Sequence, residues 1–276
     1  MPRIISHFLE HDASASPIHL HNVTLRYNGV SVLEEINADI PAGERIAIVG
    51  PNGAGKTTLI KLIAGLIEPT QGEINIFGHG PGGHICIAYV PQRSEVDWDF
   101  PANVAEVVMM GRIHQIGFFH WPTRADWTIV HKALDSVDMG AFSDHRIGEL
   151  SGGQQQRVFL AQALSQEAEV VLLDEPFTGL DIPSQEAILR ILDDLRQAGV
   201  TVLTATHDLN LAAKYFDQVM LLNRRLISYG PVEEGSLSQE ALIQAYRNQV
   251  HMLPGIDGAL ILSDTCCEGE DEGLGS

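Results

Sequence analysis

The residues Gly50-Pro51-Asn52-Gly53-Ala54-Gly55-Lys56-Thr57-Thr58 constrain this chain more than any other stretch. They fit G-x-x-x-x-G-K-[ST], a loop that wraps phosphates with backbone N–H groups. Upstream, Arg45-Ile46-Ala47-Ile48-Val49 reads as a short buried strand. Downstream, Leu59, Ile60, Leu62, Ile63 and Leu66 recur at helical spacing. Strand, glycine loop and helix in that order bring the positive end of a helix dipole to the phosphates. In such a loop Lys56 reaches the β- and γ-phosphates as a point charge, and the Thr57 hydroxyl is placed to ligate Mg²⁺. A glycine-rich turn arising by chance has no reason to carry these flanks.

A second motif supports the first. Val170-Val171-Leu172-Leu173 is a continuous apolar run, as in a parallel strand covered on both faces, and it ends in Asp174-Glu175. The edge of such a sheet is where ligands bind. Asp174 is expected to hold Mg²⁺, and Glu175 to polarise the water that attacks the γ-phosphate. Taken alone, the pair could be an acidic strand end capping a helix.

Composition narrows the class. The 276 residues are 45% hydrophobic and 19% charged, as in a globular protein with a sizeable core. Lys+Arg 17 against Asp+Glu 36 gives a net charge of −19. Such an acidic chain is a poor candidate for nucleic acid or for anionic lipid, so a membrane role would need a protein partner. Met1 to Pro17 lacks the continuous apolar core of a secretory signal. Unbroken apolar runs such as Leu62–Ile67 and Ile85–Val90 fall far short of the ~20 residues that span a bilayer. Three cysteines (Cys86, Cys266, Cys267) make no disulfide framework, and a reducing cytosol is expected.

Along the chain, residues 1–16 read as a loose leader. From Ile18 to Ile48, apolar segments alternate with turns at Asn28-Gly29 and Pro41-Ala42-Gly43, which suggests antiparallel strands. Glu73–Phe77 and Ile85–Val90 read as strands, and the glycine-rich stretch Gly78–His84 between them as a turn. Residues 93–165 are mostly helical in pattern. Gln185–Gln197 is an amphipathic helix, and Val200–Ala205 and Gln218–Leu222 are further strands. From Asp264 the tail is acidic and expected to be disordered.

A third motif is Leu150-Ser151-Gly152-Gly153-Gln154. Ser151 followed by Gln154 is a capping-box pattern opening a helix through Arg157 to Ala163. A helix N-terminus beside two glycines is an anion site, yet the chain already has one phosphate loop. With this motif the set resembles the nucleotide-binding subunit of ABC transporters, over roughly residues 18–250. The resemblance implies an α/β fold: a RecA-like P-loop NTPase core, an antiparallel β portion and a helical subdomain at about 93–160. It implies domain limits of 1–16 for a flexible leader, 17–250 for the ATPase and 251–276 for a C-terminal segment.

It also implies ATP and Mg²⁺ as cofactors, and a second copy of the chain as partner. Ser151, Gly152, Gly153 and Gln154 would act in trans on the γ-phosphate held by the other copy. Lys56, Gln92, Glu175 and His207 would be the catalytic residues, and Thr57, Gln92 and Asp174 would face Mg²⁺. Gln92, in Tyr89-Val90-Pro91-Gln92, matches the Q-loop glutamine that links to the transmembrane subunit. Asp181, in Thr178-Gly179-Leu180-Asp181, matches the D-loop, and His207, in Thr206-His207-Asp208, the switch histidine. Tyr27 stands where the family places an adenine-stacking aromatic.

The stretch Arg93–Pro101 and Val107-Val108-Met109-Met110-Gly111-Arg112 is similar to the ATPase subunits of manganese, zinc and iron importers. The implied activity is ATP hydrolysis powering uptake of a divalent metal, manganese first. The implied partners are a separate permease and, indirectly, a metal-binding solute receptor. The implied place is the cytoplasmic face of the membrane. A siderophore, haem or cobalamin cargo is the alternative within the family. A soluble ABC ATPase of ribosomes or DNA repair is the alternative outside it, although Lys56 and Ser151 are only 95 positions apart (151 − 56), with no coiled coil or zinc module between them. Asp97, Trp98 and Asp99 read as a docking or loop-packing segment. His7 with His11, His19 with His21, and Cys266-Cys267 do not complete a metal-ligand set.

Overall fold

A computed structural model describes residues 17–81, 86–117, 119–232, 236–246, 250–251 and 261–262. The leader with His7 and His11, residues 82–84 of the glycine-rich stretch with Ile85 after them, and the tail from Asp264 with Cys266-Cys267 lie outside the described residues.

The chain opens on β1 (Ile18–Tyr27) and β2 (Val30–Ile40), joined by Asn28-Gly29. Asn28 has φ 49° and Gly29 φ 82°, the two left-handed residues that a tight hairpin with native strand twist requires. The phosphate loop follows β3 (Arg45–Val49) and runs into α1 (Lys56–Ile63). β4 (Gln71–Ile76) returns to β1, giving an antiparallel sheet in the order β2-β1-β4. Next come β5 (Ile87–Val90) and a helical stretch containing α2 (Val104–Met110), α3 (Ile113–Ile116), α4 (Arg124–Ser136) and α5 (Gly152–Ser165). Then β6 (Val170–Asp174), α6 (Ile182–Gln197), β7 (Thr201–Ala205), α7 (Leu209–Tyr215), β8 (Gln218–Asn223), β9 (Arg225–Pro231) and α8 (Gln239–Tyr246) close the main body. Two short strands, β10 (Val250–His251) and β11 (Ile261–Leu262), pair with each other.

The main sheet has the order β5-β6-β7-β3-β8-β9, parallel throughout except for β9 at the edge. Its strands alternate between two cores with the period of two that a pleated strand imposes. Ala47, Val49, Val171, Leu173, Val202 and Leu221 face one core with the helices α2, α4, α5 and α6. Ile46, Ile48, Val170, Leu172, Leu203 and Met220 face the other, with α1 and the antiparallel sheet. This is the RecA-like α/β architecture with an added antiparallel β portion and a helical lobe.

β3 corrects one reading. The run Ile18–Ile48 suggested antiparallel strands throughout, but only β1 and β2 pair that way; β3 lies between β7 and β8 in the parallel sheet. Ile46 to Val49 are all 0% exposed, and a strand buried on both faces needs cover that the small antiparallel sheet cannot supply. β9 has no equivalent in the sequence reading. It leaves β8 through Arg224, a non-glycine residue at φ 57°, and such turns carry little signal.

Leu172 is fully buried in the middle of β6, against α1 and the antiparallel sheet. Leu172→Ala is expected to cost about 2–5 kcal/mol of unfolding free energy, measured by urea denaturation with an unchanged slope.

Candidate functional site

The phosphate loop is held by approaches that only glycine allows. A Cβ on Gly50 would lie 2.0 Å from the backbone carbonyl oxygen of Leu222 in β8. On Gly55 it would lie 2.6 Å from Leu33 of β2 and 3.1 Å from the Val32 carbonyl oxygen. The loop is thus seated on both sheets at once. The Ala54 carbonyl accepts from Arg224 N–H at 2.9 Å, so the β8–β9 turn backs the loop. Gly55, left-handed at φ 98°, caps α1 without a side chain. Lys56 is buried and donates across the loop to the carbonyls of Gly50 (2.8 Å) and Pro51 (3.1 Å). Burial holds its ammonium below the ordinary lysine range, against the opposing pull of Glu175 and Asp174.

The sheet order places the end of β6 beside this loop. Thr57 donates to Asp174 Oδ1 at 2.9 Å, joining the start of α1 to the end of β6. Asp174 is 1% exposed, and its Oδ2 has no hydrogen-bond partner. A buried carboxylate oxygen left unmatched, beside a hydroxyl, is what a hard cation with oxygen ligands fits. Glu175, next in the chain, turns at φ 48°. Its N–H donates to Ala205 O at 3.0 Å, continuing the pairing of β6 with β7. Three other groups meet its carboxylate. Gln92 Nε2 lies 3.4 Å from Oε2, Thr178 Oγ1 3.1 Å, and His207 Nδ1 3.8 Å. His207 follows β7 and precedes α7, whose start Asp208 caps by accepting from Leu211 N–H at 2.9 Å. Its ring is largely exposed at 59%.

Lys56, Thr57, Gln92, Asp174, Glu175 and His207 therefore converge at one end of the parallel sheet. The residues Ser151–Gln154 stand elsewhere, at the start of α5. Both bonds of the capping box are present: Ser151 N–H to Gln154 Oε1 at 2.8 Å and Gln154 N–H to Ser151 Oγ at 3.4 Å. Gly153 has a reason within its own chain, since a Cβ there would lie 2.3 Å from Ser184 Oγ. Asp181 caps α6, accepting from the Ser184 N–H at 3.2 Å, and that local bonding lowers its pKa. Tyr27 ends β1, about half exposed.

Thr178 enters the site outside its motif's expected role, because its hydroxyl reaches Glu175. Arg93 donates to Gln155 Oε1 at 3.1 Å. Neither carries a spacing that announces the contact. Trp98 packs edge-on against Phe159 with ring centroids 5.5 Å apart, and its indole N–H donates to the Arg93 carbonyl at 3.0 Å. His19 pairs with Asp39, and no group of three metal-ligating side chains occurs among the described residues. Burial raises the Cys86 thiol to about 11.

A glycine loop seated on a parallel sheet, with a buried aspartate at the end of another strand of that sheet, defines the P-loop class of nucleotide-binding proteins. The family model for ABC transporters matches residues 33–178, and this chain belongs to that family. It is 47% identical to the manganese transport system ATP-binding protein MntB of Bacillus subtilis, over 79% of this chain and 87% of that protein. It is 44% identical to the zinc transport system ATP-binding protein TroB of Treponema pallidum, over 87% and 91%. Among solved structures, an ABC transporter described as of metal-chelate type, in an inward-facing conformation, superposes with a TM-score of 0.74 at 30% identity, over 83% and 88%. The dimeric cassette MJ0796 bound to ADP and phosphate gives 0.69 at 27% identity, over 78% and 98%.

Burial pushes the Asp174 carboxyl above the ordinary carboxylate range, with the Thr57 bond pulling the other way. A carboxyl with a raised folded pKa adds stability below its unfolded pKa and loses it as pH rises through the folded one. Asp174→Asn keeps an acceptor for Thr57 and removes that loss. The free variant is therefore expected to melt above the wild type at neutral pH and level with it below about pH 4.

Proposed function

We propose that this chain is the ATP-binding and ATP-hydrolysing subunit of an importer for a divalent metal ion, manganese first. The observation that carries the chemistry is the junction of Thr57, Asp174 with its unmatched Oδ2, and Glu175 at the mouth of the phosphate loop. Curated relatives at 41–47% identity are named for manganese, zinc or chelated-iron transport, manganese most often, and this supports the cargo. The likeness to a transporter described as of metal-chelate type favours a chelated metal as the second reading.

The backbone N–H groups of Gly53 to Thr57 and the start of α1 bind the phosphates, with Lys56 as the fixed cation. Thr57 and Asp174 would hold Mg²⁺, with Gln92 on the same side of the site, and the ion would supply charge neutralisation to the β- and γ-phosphates. Glu175 Oε2 accepts a proton from the attacking water, held in place by Thr178 and Gln92. His207 lies beside Glu175 to contact the γ-phosphate. Tyr27 stacks on the adenine. Ser151, Gly152, Gly153 and Gln154 present the start of α5 to the phosphate on a second copy, and Asp181 lies on the facing surface. The dimeric cassette structure supports this sandwich.

No helix among the described residues is long and apolar enough to cross a membrane. The chain sits peripherally on the cytoplasmic side through a permease. The face for that partner is a groove of about 570 Å³ on the helical lobe, lined by Met109, Met110, Ile113, Trp121 and Trp127. Its apolar wall suits a helix of the permease laid in the groove. A metal-loaded receptor acts through the permease. We take residues 17–250 as the ATPase and about 93–160 as its helical subdomain.

Glu175→Gln is expected to bind ATP normally, to accumulate as ATP-loaded dimers, and to turn over at least about 100-fold more slowly. Near-normal turnover would remove Glu175 from the chemistry. With the permease in lipid, the ATPase is expected to rise when receptor loaded with Mn²⁺ is added. Equal rates with Mn²⁺, Zn²⁺, Fe²⁺ and empty receptor would withdraw the cargo.

A further inference from the structure

The segment from Gln92 to Trp98 touches three separate parts of the site. Gln92 reaches Glu175 at the end of β6. Glu95 pairs with Lys61 of α1 at 2.6 Å. Arg93 turns the other way, onto the start of α5. Its Nε donates to Gln155, which is 3% exposed and itself donates to the Ile147 carbonyl at 3.2 Å. Its guanidinium lies flat against Gly152, where a Cβ would meet Nη1 at 3.0 Å and Cζ at 3.1 Å. The Trp98 ring covers the guanidinium from 5.7 Å, and the Trp98 indole ties back to the Arg93 carbonyl. The side chain, exposed on its remaining side, is thus met by Gln155, Gly152 and the Trp98 ring, and Gly152 leaves room for it.

We propose that Arg93 is a positioning residue for the composite ATP site, holding the Ser151–Gly152 turn at the start of α5 in the orientation that meets phosphate on the second copy. The proposal rests on the reading of that turn given above. Arg93 acts through Gln155 and Gly152 and does not itself touch the nucleotide. The work is done by a planar fork with a directed Nε–H donor, so charge alone does not replace it. A fault at Arg93 lies on the α5 side of the composite site, and is therefore felt by the partner's ATP.

The test builds Arg93→Ala and Arg93→Lys into Glu175→Gln and follows ATP-driven dimerisation by light scattering. A fluorescent ATP analogue reports binding to the single subunit. Binding to the single subunit is expected to stay unchanged, while dimerisation weakens about 10- to 100-fold, the range of one hydrogen bond to a charged group. Lysine is expected to be as poor as alanine. In an otherwise wild-type background, mixing Arg93→Ala subunits with Lys56→Ala subunits should recover ATPase activity, because one site then has both an intact loop and an intact Ser151–Gly152 turn.

No recovery on mixing would place the defect on the same side as Lys56 and overturn the proposal. So would full rescue by lysine, or dimerisation of the Glu175→Gln protein that Arg93→Ala leaves unchanged. Failure of Glu175→Gln alone to dimerise would overturn the sandwich reading and this inference with it. If Arg93→Ala melts early, Gln155→Met removes the acceptor at similar volume, and the same outcomes apply.

Discussion

The hydrogen bond from Thr57 to Asp174 is the contact on which the rest of this molecule depends. It joins the first turn of α1 to the last residue of β6, 117 positions apart. It also leaves a buried carboxylate oxygen unmatched, a state that costs free energy unless something binds there. Each feature of the sheet serves that arrangement. β7 separates β3 from β6, so the phosphate loop and the carboxylate emerge at the same edge, two strands apart. The apolar rows on both faces of β3 and β6 hold the two ends rigidly enough for one hydroxyl to find one oxygen.

Around that junction the chain uses strain and close approach where ordinary residues would not serve. Glu175 takes a left-handed conformation directly after the strand, and this swings its carboxylate to Gln92, Thr178 and His207 instead of along the sheet. Gly50 and Gly55 allow the loop to press on β8 and β2. Gly153 allows α5 to meet the start of α6 at Ser184. The glycines of the third motif are thus needed inside the chain as well as for any phosphate they face, and one substitution there would disturb both.

The helical lobe shares one apolar core with the main sheet, and polar side chains fix its position further. Arg112 reaches the Ser165 carbonyl and Glu167 at the end of α5 and faces Asp126 in α4, which fastens the lobe to itself. Gln92, Arg93, Glu95 and Trp98 fasten the lobe's first segment to the site. A partner seated in the groove formed by α2, α3 and α4 would push on a body that this segment ties to Glu175 and α1. That geometry suits a subunit whose chemistry must be felt by a separate membrane protein.

Much was legible in the sequence because its information is local. The phosphate loop, the apolar strand ending in Asp174-Glu175, the Ser151/Gln154 capping box and the Asn28-Gly29 turn each depend on residues a few positions apart, where backbone conformation and hydrogen bonding are decided by near neighbours. Placement of β3 in the parallel sheet, the edge strand β9 and the contacts of Thr178 and Arg93 were not legible. They depend on which strands become neighbours, and that is settled by burying two apolar faces at once. Ser184 behind Gly153 and Leu222 behind Gly50 are likewise partners from distant parts of the chain. The sequence by itself determined the motifs from which the site is built and the family to which the chain belongs. The tertiary structure alone decided which groups meet Asp174 and Glu175, because only the completed sheet brings the ends of β3, β6 and β7 to one edge.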